Sequence, residues 1–179
     1  MRDCLVIVDV FDDFSHEDGD KLRTSFESRF DDLRSLLHGA RERGIPVVYA
    51  NDTAGIFDGD ARRVVERARS GPAGERIDGL APVEGDRFVI KPRYSAFDST
   101  PLRLILRDLE IERIVVAGMT TEGCVTQTAI DGKEEGLKVS VVPAACATID
   151  TEVEAIALAY LERVVGVRLE DVAEVTGAE

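Results

Sequence analysis

Histidine is scarce in this chain. Only His16 and His38 occur among its 179 residues. A zinc site wants several His or Cys ligands, and a Cys-His dyad wants a histidine beside the thiol. His38 falls in a surface-helix pattern, and His16 lies in the acidic loop Ser15-His16-Glu17-Asp18-Gly19-Asp20. Neither chemistry has its residues. Cysteine is sparse too: Cys4, Cys124 and Cys146 are an odd number without CxxC spacing, and they read as free thiols of a reducing compartment. Basic residues are outnumbered, 22 against 35 acidic, for a net charge of −13. That argues against the basic face a nucleic acid requires. No apolar run approaches the roughly 20 residues that span a bilayer, and Met1-Arg2-Asp3 enters a short strand-like run without a signal-peptide core. The expectation is a cytoplasmic protein with no membrane partner. No GxGxxG follows the first strand and no GxxxxGK[ST] occurs anywhere, which argues against dinucleotide and P-loop binding.

What is present is an alternation of strand and helix patterns. Strand-like apolar runs cover Leu5 to Val10, Ile45 to Ala50, Arg87 to Lys91, Ile114 to Ala117 and Leu137 to Val142, with a sixth over Val165 to Leu169. Most are apolar at successive positions, as parallel strands covered on both faces are. Between them Phe26, Phe30, Leu33, Leu37 and Ala40 recur at helical spacing, with Gly44 as the C′ residue. Leu102, Ile105, Leu106 and Leu109 mark another helix with Pro101 at its start. Thr151-Glu152-Val153-Glu154 reads as a capping box for the last long helix. The region 51–86 is the least regular: one helix over Ala61 to Arg69, then the loop-like GPAGERIDGLAPVEGD, read as a pocket wall. The pattern predicts one α/β domain over residues 1–179, a doubly wound, mainly parallel sheet of five or six strands with helices on both faces.

Three residues fall at strand ends, where an open α/β sheet binds ligands. Asp9 closes the first strand, Lys91 the third, and Cys124 follows the fourth in Gly118-Met119-Thr120-Thr121-Glu122-Gly123-Cys124-Val125. The cysteine is placed in a first helical turn, where the helix dipole and a nearby lysine lower a thiol pKa. The alternative is a small buried hydrophobe, the reading given to Cys4 and Cys146. Lys91 has its own bland reading, a solvated strand end. Asp9 must find partners or solvent, whereas Asp12 and Asp13 suit turns and caps.

An Asp in DxxxDF, a Lys in KPRYSAF and the segment GMTTEGCV, each at a strand end and in this order, resemble the isochorismatase-like cysteine hydrolases, a superfamily with nicotinamidases and N-carbamoylsarcosine amidohydrolases. The likeness runs from about residue 4 to 150. It implies an Asp9-Lys91-Cys124 triad, a cis peptide at Met119–Thr120, and an oxyanion hole from the Thr120 and Cys124 backbone N–H groups. It also implies a homo-oligomer, dimer or tetramer. Nicotinamidases carry an Asp-x-His metal pair after the second strand, where this chain reads Asn51-Asp52-Thr53. The departure implies a branch without metal or other cofactor. True isochorismatases lack the catalytic cysteine, so Cys124 argues against vinyl-ether cleavage.

The expected function is hydrolysis of a C–N bond in a small amide, ureido or carbamoyl compound through a thioester on Cys124. Phe14, Asn51, Tyr94 and Phe97 are the expected pocket lining, by neighbourhood. One alternative is a Mg²⁺-dependent phosphatase-like domain using Asp9, Asp12 and Asp13. Another is a non-catalytic small-molecule-binding domain of the same fold.

Overall fold

The computed structural model describes residues 1–53 and 59–177. Six parallel strands form the sheet: β1 (Asp3–Val8), β2 (Val47–Asn51), β3 (Arg87–Ile90), β4 (Arg113–Met119), β5 (Lys138–Ala147) and β6 (Arg168–Leu169). Their spatial order is β3-β2-β1-β4-β5-β6. The chain therefore winds outward from β1 in one direction, then returns to β4 and winds the other way. Right-handed crossovers put the connecting helices of the two halves on opposite faces. The strand interiors are buried because both faces are covered: Leu5, Val6, Val8, Val48, Val115 and Val116 are fully buried.

The long helix α1 (Gly19–Glu42) buries Leu22, Phe26, Leu33, Leu36, Leu37 and Ala40, the face that helical spacing marks out. It ends at Arg43, and Gly44 takes φ +67° as the left-handed C′ residue. Then follow α2 (Ala61–Arg69), α3 (Gly74–Leu80), α4 (Leu102–Asp108), α5 (Thr126–Glu134), α6 (Thr151–Tyr160) and α7 (Val172–Thr176). A π-helical turn precedes α5 (Thr121–Val125) and another extends α6 (Leu161–Val165).

Several elements differ from the sequence expectation. The stretch read as a loop after α2 contains α3, because Ile77 and Leu80, three residues apart, are buried. β4 and β5 run further than their apolar runs. β5 continues through Pro143 to Ala147 after an irregularity opposite Val116 and Gly118, so Cys146 pairs within the sheet with Gly118. Thr151 does not cap α6. Asp150 does, accepting from the Glu152 and Val153 N–H groups, and Glu154 turns inward instead of back. A capping box exists at α7, Asp171 with Glu174.

One glycine is required by close approach. Gly118 has φ +123°, and a Cβ there would stand 2.0 Å from the Val8 carbonyl oxygen. No other residue lets β4 lie this close to β1.

Candidate active site

In order β3-β2-β1-β4-β5-β6 the winding reverses between β1 and β4, and ligands of open α/β sheets bind at such a reversal. Asp9 leaves β1 there in a left-handed conformation, φ +50°. That conformation is uncommon for a residue with a side chain, though Asp tolerates it better than most. Cys124 sits beyond β4, in the π-helical turn. Lys91 comes from β3, two strands away, and reaches past β2 to the crevice. Its side chain is 1% exposed, and its Nζ lies 2.6 Å from Asp9 Oδ2. The same Nζ donates to Cys124 Sγ at 3.4 Å and to the Arg93 carbonyl at 2.9 Å. The other Asp9 oxygen, Oδ1, accepts the Asp52 N–H at 2.8 Å. The structure thus brings Asp9, Lys91 and Cys124 together.

Electrostatics decides which of them holds a proton. Burial pushes the Asp9 carboxyl above its ordinary value, further than the Lys91 ammonium and the Asp52 N–H pull it down. Burial alone would lower Lys91; the Asp9 and Cys124 charges more than offset it, so its pKa stands raised. The Cys124 thiol is pushed up to about 12, by burial first and by the Asp9 charge second, with Lys91 opposing. This departs from the sequence expectation of a lowered pKa. The thiol is half-buried against a carboxylate, and those two effects outweigh the lysine. At rest, then, Cys124 is a neutral thiol beside the Asp9–Lys91 contact.

The backbone around Cys124 is held from two sides. The Met119–Thr120 peptide is cis. Among the described residues no protein acceptor takes the Thr120 N–H. Thr121 Oγ1 donates to Glu154 Oε1 at 2.7 Å, and Arg29 grips the same carboxylate through both of its terminal nitrogens, at 2.5 and 2.7 Å. Arg29 also donates to the Pro143 and Cys146 carbonyls. On the other side the Glu122 carboxylate accepts from Thr148 Oγ1 at 2.9 Å and the Ile149 N–H at 3.0 Å. Sequence reading missed Arg29, Glu122 and Glu154. A signal was available for Glu154, which is separated by seven positions from buried Leu161 on one helical face.

Cys124 opens on two adjoining cavities. One, 670 Å³, runs beside Lys91, Arg93, Ser95, Arg103 and Gln127; the other, 430 Å³, beside Asp9, Asp12, Asn51, Thr120 and Ile149. Asp52 and Tyr94 border both. The expected lining residues divide. Tyr94 is exposed and stands at both mouths. Asn51 borders the smaller cavity, but its amide is committed to the Phe11 backbone N–H and C=O. Phe14 packs on Phe26 in the core, and Phe97 is fully buried with Arg103 over its ring. Neither reaches these two cavities, because the loops after β1 and β3 turn them inward. Part of the 51–86 wall is seen: Thr53, Val64 and Arg67 line a third cavity of 240 Å³ with Asp13 and His16. Residues 54–58 of that wall lie outside the described residues.

Asp12 and Asp13 do not join Asp9 on one cation position. Asp12 accepts the Phe14 N–H, and Asp13 accepts from Ser15 and pairs with Arg67 Nε. Among the described residues no three His, Cys, Asp or Glu side chains are grouped to hold a metal, and no helix is long and apolar enough to cross a membrane.

An open, doubly wound α/β fold with a thiol, an ammonium and a carboxylate in contact at its reversal point defines a class, proteins with a cysteine poised over a substrate-sized crevice. Within it the chain belongs to the isochorismatase family: an isochorismatase domain matches residues 3–174. The uncharacterized isochorismatase family protein YaaI of Bacillus subtilis is 29% identical over 160 residues, 89% of this chain and 88% of its own. The crystal structure of nicotinamidase PncA from Bacillus subtilis matches with a TM-score of 0.77 at 26% identity, covering 96% of this chain and 100% of that one. That of N-carbamoylsarcosine amidase from Thermoplasma acidophilum matches at 0.73 and 29% identity, covering 96% and 97%.

Proposed function

We propose that this protein is a hydrolase of C–N bonds other than peptide bonds, acting on a small amide, ureido or carbamoyl compound through a thioester on Cys124. The observation that carries this reading is Lys91 Nζ in contact with both Asp9 and Cys124 at the floor of the crevice. The similarity to a nicotinamidase and an N-carbamoylsarcosine amidase supports the bond type.

The chemistry follows from where the protons sit. Cys124 begins as a thiol, so a base must take its proton as the sulfur attacks. Asp9 is that base, its raised pKa bringing it closer to the thiol's. Lys91 favours the ionised form of Asp9 against its burial and stabilises the charge as it passes to sulfur. The S–C bond forms, and the carbonyl oxygen becomes an oxyanion accepting from the Thr120 and Cys124 N–H groups. Asp9 then gives its proton to the departing nitrogen as the C–N bond breaks, leaving a thioester and free ammonia or amine. Water, deprotonated by Asp9, attacks the thioester, and the thiol is restored with the acid product.

The test is a panel of small primary amides and N-carbamoyl acids assayed for ammonia release, with acid-quenched protein weighed by mass spectrometry. The expected result is turnover on at least one compound, an acyl mass on the peptide carrying Cys124, and loss of both in Cys124→Ala. Ammonia release that persists undiminished in Cys124→Ala sinks the proposal. Mg²⁺-dependent phosphate release from phosphomonoesters by that variant would favour the phosphatase reading.

A further inference from the structure

Cys124 borders both cavities of the crevice, but its helpers divide between them. Asp9 and Thr120 border the smaller cavity and not the larger; Lys91 borders the larger and not the smaller. Once the thiol has added to an amide carbonyl, the carbon carries sulfur, the oxyanion, the nitrogen and the acyl chain. The oxyanion belongs with the Thr120 N–H and the nitrogen with Asp9, so both face the smaller cavity. The acyl chain is left the larger one, of 670 Å³, beside Lys91, Arg93 and Gln127. The leaving nitrogen then has 430 Å³ on its own side. Ammonia is the size of water, whose share of the liquid is about 30 Å³, so most of that space is open to a substituent on the nitrogen.

The two cavities also differ in charge. Among the described residues no lysine or arginine borders the smaller one, whereas Lys91, Arg93 and Arg103 border the larger. Asp12 stands on the wall of the smaller cavity, and its Oδ1 accepts the Phe14 N–H. Its Oδ2 accepts no hydrogen bond among the described residues; His16 Nε2 is 3.8 Å away, beyond hydrogen-bond reach. Leu22, Met119 and Ile149 give the same cavity apolar surface. We propose that the substrate is an N-substituted amide whose leaving group is an amine carrying a second, cationic nitrogen, with that cation on Asp12. This rests on the hydrolase reading above and narrows it. Primary amides leave the smaller cavity empty, and carbamoyl compounds leave one cavity or the other empty, so both are poorer substrates.

Acyl transfer tests this whatever the natural acyl group, because the leaving amine's site is also the site of an attacking amine. p-Nitrophenyl acetate acylates Cys124: the S–C bond forms and p-nitrophenolate departs. A free-base amine then attacks the thioester. The N–C bond forms, the C–S bond breaks, and the amine's proton passes through Asp9 to the sulfur. The acceptors are ammonia, propylamine, β-alanine and 1,3-diaminopropane, at equal free-base concentration and mildly alkaline pH. Each rate is divided by that of the same amine on S-acetyl-N-acetylcysteamine. The expected result is saturable formation of N-acetyl-1,3-diaminopropane, at least about tenfold above the product of every other acceptor, the worth of one charge-assisted hydrogen bond. Asp12→Asn should bring the diamine down to the level of propylamine. Ammonia matching the diamine overturns the substituted leaving group. Propylamine or β-alanine matching it overturns the cationic one, and so does a diamine rate unmoved in Asp12→Asn. Should that variant not fold, the ranking of acceptors on the wild type decides. No acetyl mass on the Cys124 peptide overturns the hydrolase reading itself, whereas acetylation followed by hydrolysis alone, with every amine, overturns only the amine leaving group.

Discussion

Lys91 and Asp9 form an ion pair of 2.6 Å although their strands, β3 and β1, are not neighbours in the sheet. The lysine spans the end of β2, and the Asp52 N–H just beyond β2 completes the carboxylate's contacts. Three strand ends therefore fix one carboxylate, while the thiol it faces is supplied by a fourth.

The first prediction separates reactivity from catalysis. The Asp9 charge is the second cause, after burial, of the high Cys124 pKa. Asp9→Asn removes that charge, so the thiol pKa falls and iodoacetamide should label Cys124 faster at pH 8 than in the wild type. Turnover should nonetheless fall by about 10³ or more, because the proposed proton carrier is gone. Slower labelling in Asp9→Asn would refute the electrostatic account.

Stability should fall with rising alkaline pH. The thiols of Cys4, Cys124 and Cys146 are each raised from 9.0 to about 12, burial being the first cause in all three. The unfolded chain ionises them first, so the contribution is complete below pH 9 and is lost as pH rises toward 12. Urea melts at pH 8 and pH 10.5 should show the loss, and it should shrink in Cys146→Ala relative to that variant's own value at pH 8. A wild-type melt unchanged between those pH values would contradict this.

Breaking the Arg29–Glu154 pair should harm both stability and rate. Glu154→Gln leaves a largely buried guanidinium without its counter-charge, at a cost of about 3 kcal/mol or more. It also loosens Thr121, next to the cis peptide. Denaturant melts and kcat on an active substrate check this. A variant within 1 kcal/mol of wild type with unchanged kcat would show the pair to be idle.

Gly118→Ala should destabilise more than any surface substitution, by roughly 3 kcal/mol or more. A methyl there meets the Val8 carbonyl at 2.0 Å, on backbone at positive φ. Soluble expression and a thermal melt are sufficient measurements. A well-folded alanine variant with an unshifted melt would rule the close approach out.

Much of the architecture was legible because parallel strands covered on both faces leave continuous apolar runs. Leu5 to Val8 and Ile114 to Ala117 announce the central pair, and their carboxyl ends announce Asp9 and the turn to Cys124. The end of β5 was not legible, since Pro143 and two alanines carry no strand signal and only pairing with β4 continues them. Nor were Phe14 and Phe97 assignable as core, because sequence neighbourhood to Asp9 and Lys91 says nothing of which way a loop turns. The sign of the Cys124 shift was hidden for a related reason. A lysine at a strand end is readable; the carboxylate pressed against the same thiol, and the depth of both, belong to the folded packing.

Cys124 at rest has consequences outside hydrolysis. Peroxides and disulfides attack thiolates, and a thiol whose pKa is about 12 is almost wholly protonated at neutral pH. Such a cysteine should be oxidised more slowly than an exposed thiolate would be. Its neighbours thus give it a shelf life as well as a task.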